Sequence, residues 1–145
     1  MARNEAYVEA PPEAVWEVLA DPYAYPRWVV GSKETTEADP QWPAPGTKFR
    51  VRVGGGPLFF PDLTHSREVD DGRRIVLDAG GGPWVGARVE ITLEPDGDGT
   101  RVTLVEDPAG PFAPLRALPP VQLGIRVRNV ESLRRLKRLA EERAR

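Results

Sequence analysis

The middle of the sequence alternates apolar and polar residues, and this pattern constrains the fold more than any other feature of the chain. From Val85 to Leu93 every second residue is apolar, and the residues between them are charged or polar from position 88 onward. A similar alternation occurs in residues 48–53, 74–79 and 101–104. Because successive side chains of a strand point to opposite faces, the pattern predicts an antiparallel sheet with one buried face.

Three further segments complete a sheet of seven strands. Residues 4–10 alternate, residues 28–30 lead into a second strand, and the less regular segment 58–69 is assigned as a strand between two clearer ones. Between the first two strands, Pro12 and the pair Asp21-Pro22 each predict the start of a short helix. Proline is tolerated in a first helical turn, and aspartate is a good N-cap.

The C-terminal segment predicts one long helix. Residues 119–145 contain no proline after the first two positions. Apolar residues recur there at helical spacing, in a stripe formed by Val121, Ile125, Val130, Leu133, Leu136 and Ala140. The predicted fold is therefore α+β, a curved seven-stranded antiparallel sheet wrapped around a long C-terminal helix. A sheet this wide curls, and one helix is not expected to fill the space that it encloses.

The loops at the two ends of the predicted sheet differ in composition. Both 54–57 and 80–83 read Gly-Gly-Gly-Pro, whereas 70–72 and 96–99 are the polar, glycine-containing sequences of tight hairpins. Alternate turns of an antiparallel meander fall at the same end, where the segment 107–112 joins the two triple glycines. Large apolar residues flank these loops: Leu58, Phe59, Phe60, Trp84 and Phe112. We interpret this end as a ligand portal. The alternative is that these side chains simply cap the core.

Polar residues are also predicted on the inner face of the sheet. If Leu63 and Val69 point inward, then His65 and Arg67 do so too, whereas a register shift of one residue would send them outward. Glu106 shares the parity of the apolar residues of its strand, with Arg67, Arg126 or Arg128 as candidate partners. Asn129 falls near the apolar stripe of the last helix and faces either the cavity or a hydrogen-bond partner on a strand.

Composition excludes several kinds of site. The chain has 145 residues, no cysteine and one histidine, which rules out disulfides and thiolate sites and argues against a dedicated metal site. No run of residues has the length and apolarity of a signal peptide or membrane span. We expect one domain over residues 1–145, with no cofactor, in the cytoplasm of a bacterium.

The charge balance sets expectations about partners. The net charge is −2, which argues against a general nucleic-acid binder, although residues 119–145 hold eight basic and three acidic side chains. A nucleic-acid or anionic-membrane surface is one interpretation of that segment, and a solvated helix face is favoured over it. We expect a small hydrophobic partner, no nucleic acid, no stable membrane insertion, and a monomer or homodimer.

Parts of the sequence resemble a known superfamily. The run Val8-Glu-Ala-Pro-Pro-Glu-Ala-Val-Trp-Glu-Val-Leu-Ala-Asp-Pro-Tyr-Ala-Tyr-Pro-Arg-Trp28 resembles the N-terminal signature of the START-related lipid-binding (SRPBCC) superfamily, in its polyketide cyclase/dehydrase-like branch. Residues 99–104 resemble its final strand and residues 128–137 its C-terminal helix. The resemblance implies a helix-grip fold with an apolar cavity and hydrophobic-ligand binding. It provides no catalytic motif to carry over residue by residue.

Three hypotheses follow for the function. The first is a noncatalytic carrier or sensor of an apolar molecule. The second is a polyketide cyclase or dehydratase in which His65 acts as acid or base and Glu106 or Arg67 polarises a carbonyl. The third is a protein-binding module that uses the exposed apolar residues of the portal. The predicted ligand-binding residues are Phe49, Val51, Phe60, Leu63, His65, Arg67, Leu77, Trp84, Val89, Glu106 and Asn129.

Overall fold

The structure, a computed structural model, describes residues 1–55, 57–80 and 86–145. Its strands are β1 Ala2–Val8, β2 Ser32–Ala38, β3 Lys48–Gly55, β4 Leu58–Asp70, β5 Arg74–Ala79, β6 Ala87–Asp96 and β7 Gly99–Pro108. They form one antiparallel sheet in the order β1-β7-β6-β5-β4-β3-β2. The helices are α1 Pro12–Leu19, α2 Tyr25–Trp28, α3 Ala113–Arg116 and α4 Pro119–Arg143, and a short 3-10 turn spans Pro22–Ala24.

The predicted fold class is confirmed. Seven antiparallel strands, short helices between β1 and β2, and one long C-terminal helix are all present. Pro12 occupies the first turn of α1, and the Asp21 carboxylate accepts a hydrogen bond from the Tyr23 amide at 3.0 Å, as expected of an N-cap. The one-turn helix α3 was not predicted, because four residues that begin Ala-Pro carry no helical period.

Helix α4 rests on the two edges of the structure rather than on the middle of the sheet. It contacts β1, which is one edge strand of the sheet. It also contacts α1 and α2, and α2 in turn contacts β2, which is the other edge strand. The curved sheet and the helices between β1 and β2 therefore hold α4 away from the central strands. This arrangement leaves space between the helix and the sheet.

One half of that space is filled by a closed apolar core. This half lies at the end where the β4–β5 and β6–β7 hairpins turn, and its core residues are at most 3% exposed. They come from both layers of the fold: Val8, Val15, Val18, Leu19, Ile75, Leu93, Val102, Leu136 and Ala140. The opposite half lies at the end where the β3–β4 and β5–β6 connections and α3 are found. We call this the glycine end, after Gly31, Gly54, Gly80 and Gly86.

The apolar stripe predicted for α4 is only partly correct. Leu133, Leu136 and Ala140 are buried, whereas Val121 and Val130 are 40% and 50% exposed. Asn129 and Ser132 are each 3% exposed and face inward in place of Val130. The first half of α4 has apolar residues around its whole circumference, so the helical period alone does not indicate which side is buried.

A β-bulge in β4 determines which of its side chains face the interior. The pairing of β4 with β5 shifts between Ser66 and Glu68, so that Arg67 is the extra residue. Before the bulge, Thr64 lies opposite Phe49 and Ala79 and shares their inner face. After the bulge the parity reverses. Even-numbered residues therefore face inward up to Ser66, and odd-numbered residues do so from Val69 onward.

Candidate functional site

A cavity of about 430 Å³ occupies the interior at the glycine end. A volume of this size is in the range of small-molecule sites. Its wall is formed by the inner faces of β3 to β7, by α2 and by the middle of α4. The residues that line it include Tyr25, Trp28, Phe49, Val51, Val53, Asp62, Thr64, Leu77, Ala79, Ala87, Val89, Ile91, Leu104, Glu106, Arg116, Arg128, Asn129 and Ser132.

Four apolar residues that the sequence predicts at the site lie on the wall of this cavity. Phe49 and Val51 come from β3, Leu77 from β5 and Val89 from β6, all on the inner face. They come together because each keeps the two-residue period of its own strand, so that the parity of the sequence gives their orientation directly. Their contact with a ligand stays a prediction. Trp84 was predicted with them and lies outside the described residues.

An aromatic cluster of the buried core also forms one side of the cavity. The Tyr25 ring lies 4.7 Å from the Phe49 ring and 5.0 Å from the Trp28 ring, centroid to centroid, and Trp42 lies 4.6 Å from Phe49. All four side chains are at most 7% exposed. Edge-on contacts of this kind fix the rings relative to one another. The cluster therefore forms a rigid floor for the cavity.

Two polar atoms are buried in this floor without a partner. Neither the Tyr25 hydroxyl nor the Trp28 indole nitrogen forms a hydrogen bond with any described residue. Burial raises the pKa of the Tyr25 phenol, which therefore stays protonated at neutral pH. Because both atoms are buried, the parts of these two side chains that line the cavity are apolar.

A polar cluster lies on the opposite side of the cavity, where β7 faces α4. Glu106 is 6% exposed, and its Oε1 accepts hydrogen bonds from Arg128 Nη2 at 2.5 Å and from Asn129 Nδ2 at 3.3 Å. Arg128 was one of the partners proposed for Glu106, and Asn129 forms the predicted helix-to-strand hydrogen bond while it also lines the cavity. The charge pair allows a carboxylate to remain inside an otherwise apolar wall.

Further polar groups line the wall near this cluster. The Ser132 hydroxyl accepts a hydrogen bond from the Val30 amide at 3.1 Å. The Arg116 guanidinium lies so close to Gly86 that a Cβ at Gly86 would be only 2.9 Å from three of its atoms. Gly86 is therefore a position where the absence of a side chain lets an arginine reach the cavity. Arg116 forms no ion pair with a described residue.

The inward orientation predicted for Leu63, His65 and Arg67 is wrong. His65 lies opposite Lys48 and Asp78 on the outer face of the sheet, and Leu63 lies opposite Arg50 on the same face. Arg67 is the bulged residue and donates a hydrogen bond to Asp78 at 2.8 Å. The prediction failed because it carried the parity of Val69 back through the bulge.

Phe60 has an intermediate position. It lies opposite Val53, so it shares the inner face of β4, but it is 60% exposed at the glycine end and does not contribute to the cavity wall. The start of β4 therefore extends past the cavity. Gly54 is required at this point, because it has a φ of 145° and a Cβ there would overlap the Leu58 carbonyl.

Several cavity residues were missed by sequence reasoning. Thr64 and Ser132 are short polar residues that give no apolar signal, and Tyr25 and Trp28 lie in the short helical segment between β1 and β2, which was not predicted to contribute to the site. Two aromatic residues three positions apart before β2 are the signal that could have indicated a wall. Within residues 1–55, 57–80 and 86–145, no cluster of three or more metal-ligating side chains is found.

The geometry defines a class of protein. A curved antiparallel sheet that grips a C-terminal helix, with a closed core in one half and a mainly apolar cavity in the other, is a helix-grip architecture. A family model described as polyketide cyclase / dehydrase and lipid transport matches residues 2–141. The chain belongs to this family. Among curated proteins there is no significant match.

Solved structures with the same fold share little sequence with the chain. A protein from Nitrosomonas europaea has a TM-score of 0.76 at 20% identity, over 97% of this chain and 93% of its own. An aromatase/cyclase from Streptomyces sp. R1128 has a TM-score of 0.72 at 22% identity, over 99% and 94%. Ara h 8.0201 has a TM-score of 0.71 at 13% identity, over 97% and 96%. At these identities the similarity shows the fold alone.

Proposed function

We propose that the protein binds a small hydrophobic molecule in the cavity at the glycine end, as a carrier or sensor. The observation that carries this proposal is the contrast between the two halves of the interior. The same helix and sheet enclose a closed apolar core at one end and about 430 Å³ of space at the other. Apolar walls favour an apolar guest, because its transfer from water removes apolar surface from solvent.

The polar cluster narrows the chemistry of the guest. Oε1 of Glu106 is occupied by Arg128 and Asn129, whereas no described residue donates a hydrogen bond to its Oε2. A ligand with one hydroxyl or N–H donor and an apolar body fits this wall. A carboxylate-bearing ligand would meet the Glu106 charge at the same place.

Two neighbouring residues of β4 provide a matched test of the binding site. Thr64 lines the cavity and His65 lies on the outer face, so Thr64→Leu adds volume inside the cavity, whereas His65→Leu introduces the same residue outside it at nearly constant volume. We expect Thr64→Leu to weaken binding of the neutral fluorescent probe N-phenyl-1-naphthylamine about tenfold, because an added side chain occupies ligand space. His65→Leu should leave the affinity within about twofold of the wild type, because it changes nothing in the wall.

The readout is a fluorescence titration, with circular dichroism melts to confirm that both variants are folded. Equal effects of the two substitutions, or no binding of the probe by the wild type, would contradict the proposal. Native mass spectrometry of protein purified from its host is the complementary measurement. It should show a bound small molecule that is lost in Thr64→Leu and kept in His65→Leu.

A second candidate function is cyclisation or dehydration of a polyketide-like substrate. It is favoured by the position of Glu106, whose carboxylate faces the cavity with one oxygen unpaired and a guanidinium held against the other. A carboxylate in this position can accept or return a proton, which is the role first assigned to His65. With His65 on the outer face, the enzymatic hypothesis depends on Glu106.

The two candidates differ in the effect of Glu106→Gln. Under the enzymatic hypothesis this substitution should lower turnover of a poly-β-ketone substrate by about 10²–10⁴-fold while probe affinity changes by less than about threefold. His65→Ala should leave both quantities unchanged, because the imidazole lies on the far side of the sheet. Turnover that survives Glu106→Gln would exclude this carboxylate as the acid or base.

A further inference from the structure

Exposed apolar side chains are concentrated at the glycine end. Among the described residues, nine of the twelve large hydrophobic side chains that are exposed belong to the start of β4 or to residues 112–130. They are Leu58, Phe60, Phe112, Leu115, Leu118, Val121, Leu123, Val127 and Val130, with exposures from 40% to 64%. Apolar surface concentrated on one side of a protein marks an interaction site.

The outward side of α4 contributes a regular part of this surface. Leu123, Val127 and Val130 follow one another at spacings of four and three, so they share one face of the helix. They are 50% to 64% exposed and lie on the side away from Asn129 and Ser132, which face the cavity. A helix side turned away from its own core is ordinarily polar. The apolar residues here are thus available to something outside the chain.

All charges within this part of the chain are positive. Residues 108–130 contain Arg116, Arg126 and Arg128 and no acidic residue, in a protein whose net charge is −2. Arg128 is paired with Glu106, whereas neither Arg116 nor Arg126 forms an ion pair with a described residue. The bordering Asp107 lies 3.9 Å from the N-terminal amine. The surface therefore presents aliphatic side chains together with unpaired guanidinium groups.

We propose that the glycine end docks on the surface of a bilayer that contains anionic phospholipids, with residues 112–130 lying in the interface. Aliphatic side chains enter the boundary between headgroups and acyl chains, and arginines bind the lipid phosphates. A nucleic acid would match the arginines but not the leucines and valines. Docking is peripheral, since none of the described helices is both long and apolar enough to cross a membrane.

This docking surface is continuous with the cavity. Arg116 and Arg128 belong both to the cationic segment and to the cavity wall. A protein docked through this segment therefore holds its cavity next to the lipid. The inference goes beyond the proposed ligand binding, because docking can be measured with an empty cavity and can fail while ligand binding persists.

Vesicle flotation tests the docking. We expect the wild type to float with vesicles of phosphatidylcholine and phosphatidylglycerol in a 7:3 ratio. It should bind at least about tenfold more weakly to pure phosphatidylcholine, because the arginine contribution requires anionic lipid. Binding to the mixed vesicles in 0.5 M salt should be weakened equally, because salt screens this contribution.

The double substitution Leu123→Ser with Val127→Ser should weaken binding to the mixed vesicles about tenfold or more. The matched control is Tyr23→Ser, which removes a side chain that is 57% exposed elsewhere on the surface.

A second pair of variants tests the charge. Arg126→Gln should weaken binding to the mixed vesicles about fivefold, since a basic residue near an anionic surface contributes about that factor. Arg73→Gln removes the same charge from the β4–β5 turn at the opposite end and should leave binding unchanged. All four variants are assayed for N-phenyl-1-naphthylamine binding as well, so that a loss of docking is distinguished from a loss of the cavity.

Three results would overturn the inference. The first is no flotation of the wild type with mixed vesicles. The second is equal loss of binding in the variants and their controls. The third is that the wild type binds no vesicles but forms a dimer, detected by light scattering, which the double substitution Leu123→Ser with Val127→Ser dissociates. That result would identify a second copy of the chain as the partner of this surface. Flotation without any probe binding would leave docking established and contradict the proposed ligand binding instead.

Discussion

Arg128 of α4 donates a hydrogen bond at 2.5 Å to Glu106 of β7, and the two side chains differ greatly in exposure. The Glu106 side chain is 8% exposed and that of Arg128 is 41% exposed. Loss of one partner therefore has different consequences for the other. An isolated Arg128 can turn toward water, whereas an isolated Glu106 keeps its charge inside the wall with only Asn129 as a donor.

This asymmetry predicts the order of two destabilisations. Arg128→Gln should lower the free energy of unfolding by about 2 kcal/mol, because it leaves a buried carboxylate without its cation. Glu106→Gln should lower it by about 1 kcal/mol, because the freed guanidinium becomes hydrated. Urea denaturation of both single variants and of the double variant at neutral pH measures these values. We expect the double variant to be more stable than the sum of the two effects implies, and the reverse order of the single variants would refute the assignment.

Asp78, on the outer face of the sheet, should contribute more to stability than either of its two arginine partners. Its carboxylate is 9% exposed and accepts hydrogen bonds from Arg67 at 2.8 Å and from Arg88 at 3.1 Å. Asp78→Asn should cost about 2 kcal/mol, because two charge-assisted hydrogen bonds to one buried group are weakened. Arg67→Gln should cost less than about 1 kcal/mol, because Arg88 remains and Arg67 is half exposed.

The control for Asp78 is a carboxylate with one exposed partner. Asp96 accepts a hydrogen bond from Arg101 at 2.8 Å, and its side chain is 44% exposed. Asp96→Asn should cost less than about 1 kcal/mol, and urea denaturation of the Asp78, Arg67 and Asp96 variants at neutral pH measures all three values. Similar losses for Asp78→Asn and Asp96→Asn would show that burial of the Asp78 carboxylate does not matter.

The faces of most strands can be predicted from the sequence, but that of β4 cannot. Residues on strands that keep a constant parity were assigned to the correct faces, so the cavity positions of Phe49, Val51, Leu77, Val89 and Glu106 follow from the sequence. The segment around His65 has residues of mixed character on both faces, and nothing in it marks the extra residue at the bulge. The orientation of β4 is set by pairing with β3 and β5, which depends on distant parts of the chain.

The existence of the cavity can be predicted from the sequence, but its position cannot. That one helix cannot fill a curled sheet follows from the number and order of the elements. Which half stays empty depends on Asn129 and Ser132 facing inward where leucines would fill space, and the helical period around Val130 indicates the wrong side. The aromatic floor depends on α2, whose four residues are too few for a periodic signal.

Glu141 predicts a pH-dependent contribution to stability. Its carboxylate accepts hydrogen bonds from the Glu9 amide at 2.7 Å and from Lys137 Nζ at 2.6 Å, which attaches α4 to the end of β1. Burial opposes ionisation, but these two donors outweigh it and lower the pKa of Glu141 below 4.5. A lowered pKa in the folded state stabilises the protein at pH values above that of the unfolded group, and this stabilisation is lost as the pH falls through the folded value.

The test is Glu141→Gln against Glu142→Gln, which changes the next residue, an exposed one on the same helix. At pH 7 we expect Glu141→Gln to cost about 1 kcal/mol and Glu142→Gln close to nothing. The difference between wild type and Glu141→Gln should shrink as the pH falls below the ordinary pKa of a glutamate, because the unfolded chain then takes up its proton while the folded carboxylate resists it. A difference that stays constant down to pH 2 would mean that the charge of Glu141 is not involved.

Tyr25 leads to a prediction of the opposite sign. Its hydroxyl is buried and no described residue forms a hydrogen bond with it, while its ring packs against Trp28, Trp42 and Phe49. Tyr25→Phe keeps the ring and removes the unpaired group, so we expect it to raise the free energy of unfolding by about 1 kcal/mol. The stability advantage of Tyr25→Phe should widen above pH 10, because the raised pKa keeps the buried phenol protonated while the unfolded chain ionises.

Tyr7→Phe is the matched control. The Tyr7 hydroxyl donates a hydrogen bond to the Asp96 carbonyl at 3.3 Å, so its loss should be neutral or mildly destabilising. Thermal melts of the two variants at pH 7 and pH 11 decide the matter, and a Tyr25→Phe protein less stable than wild type would mean that the hydroxyl has a partner in solution.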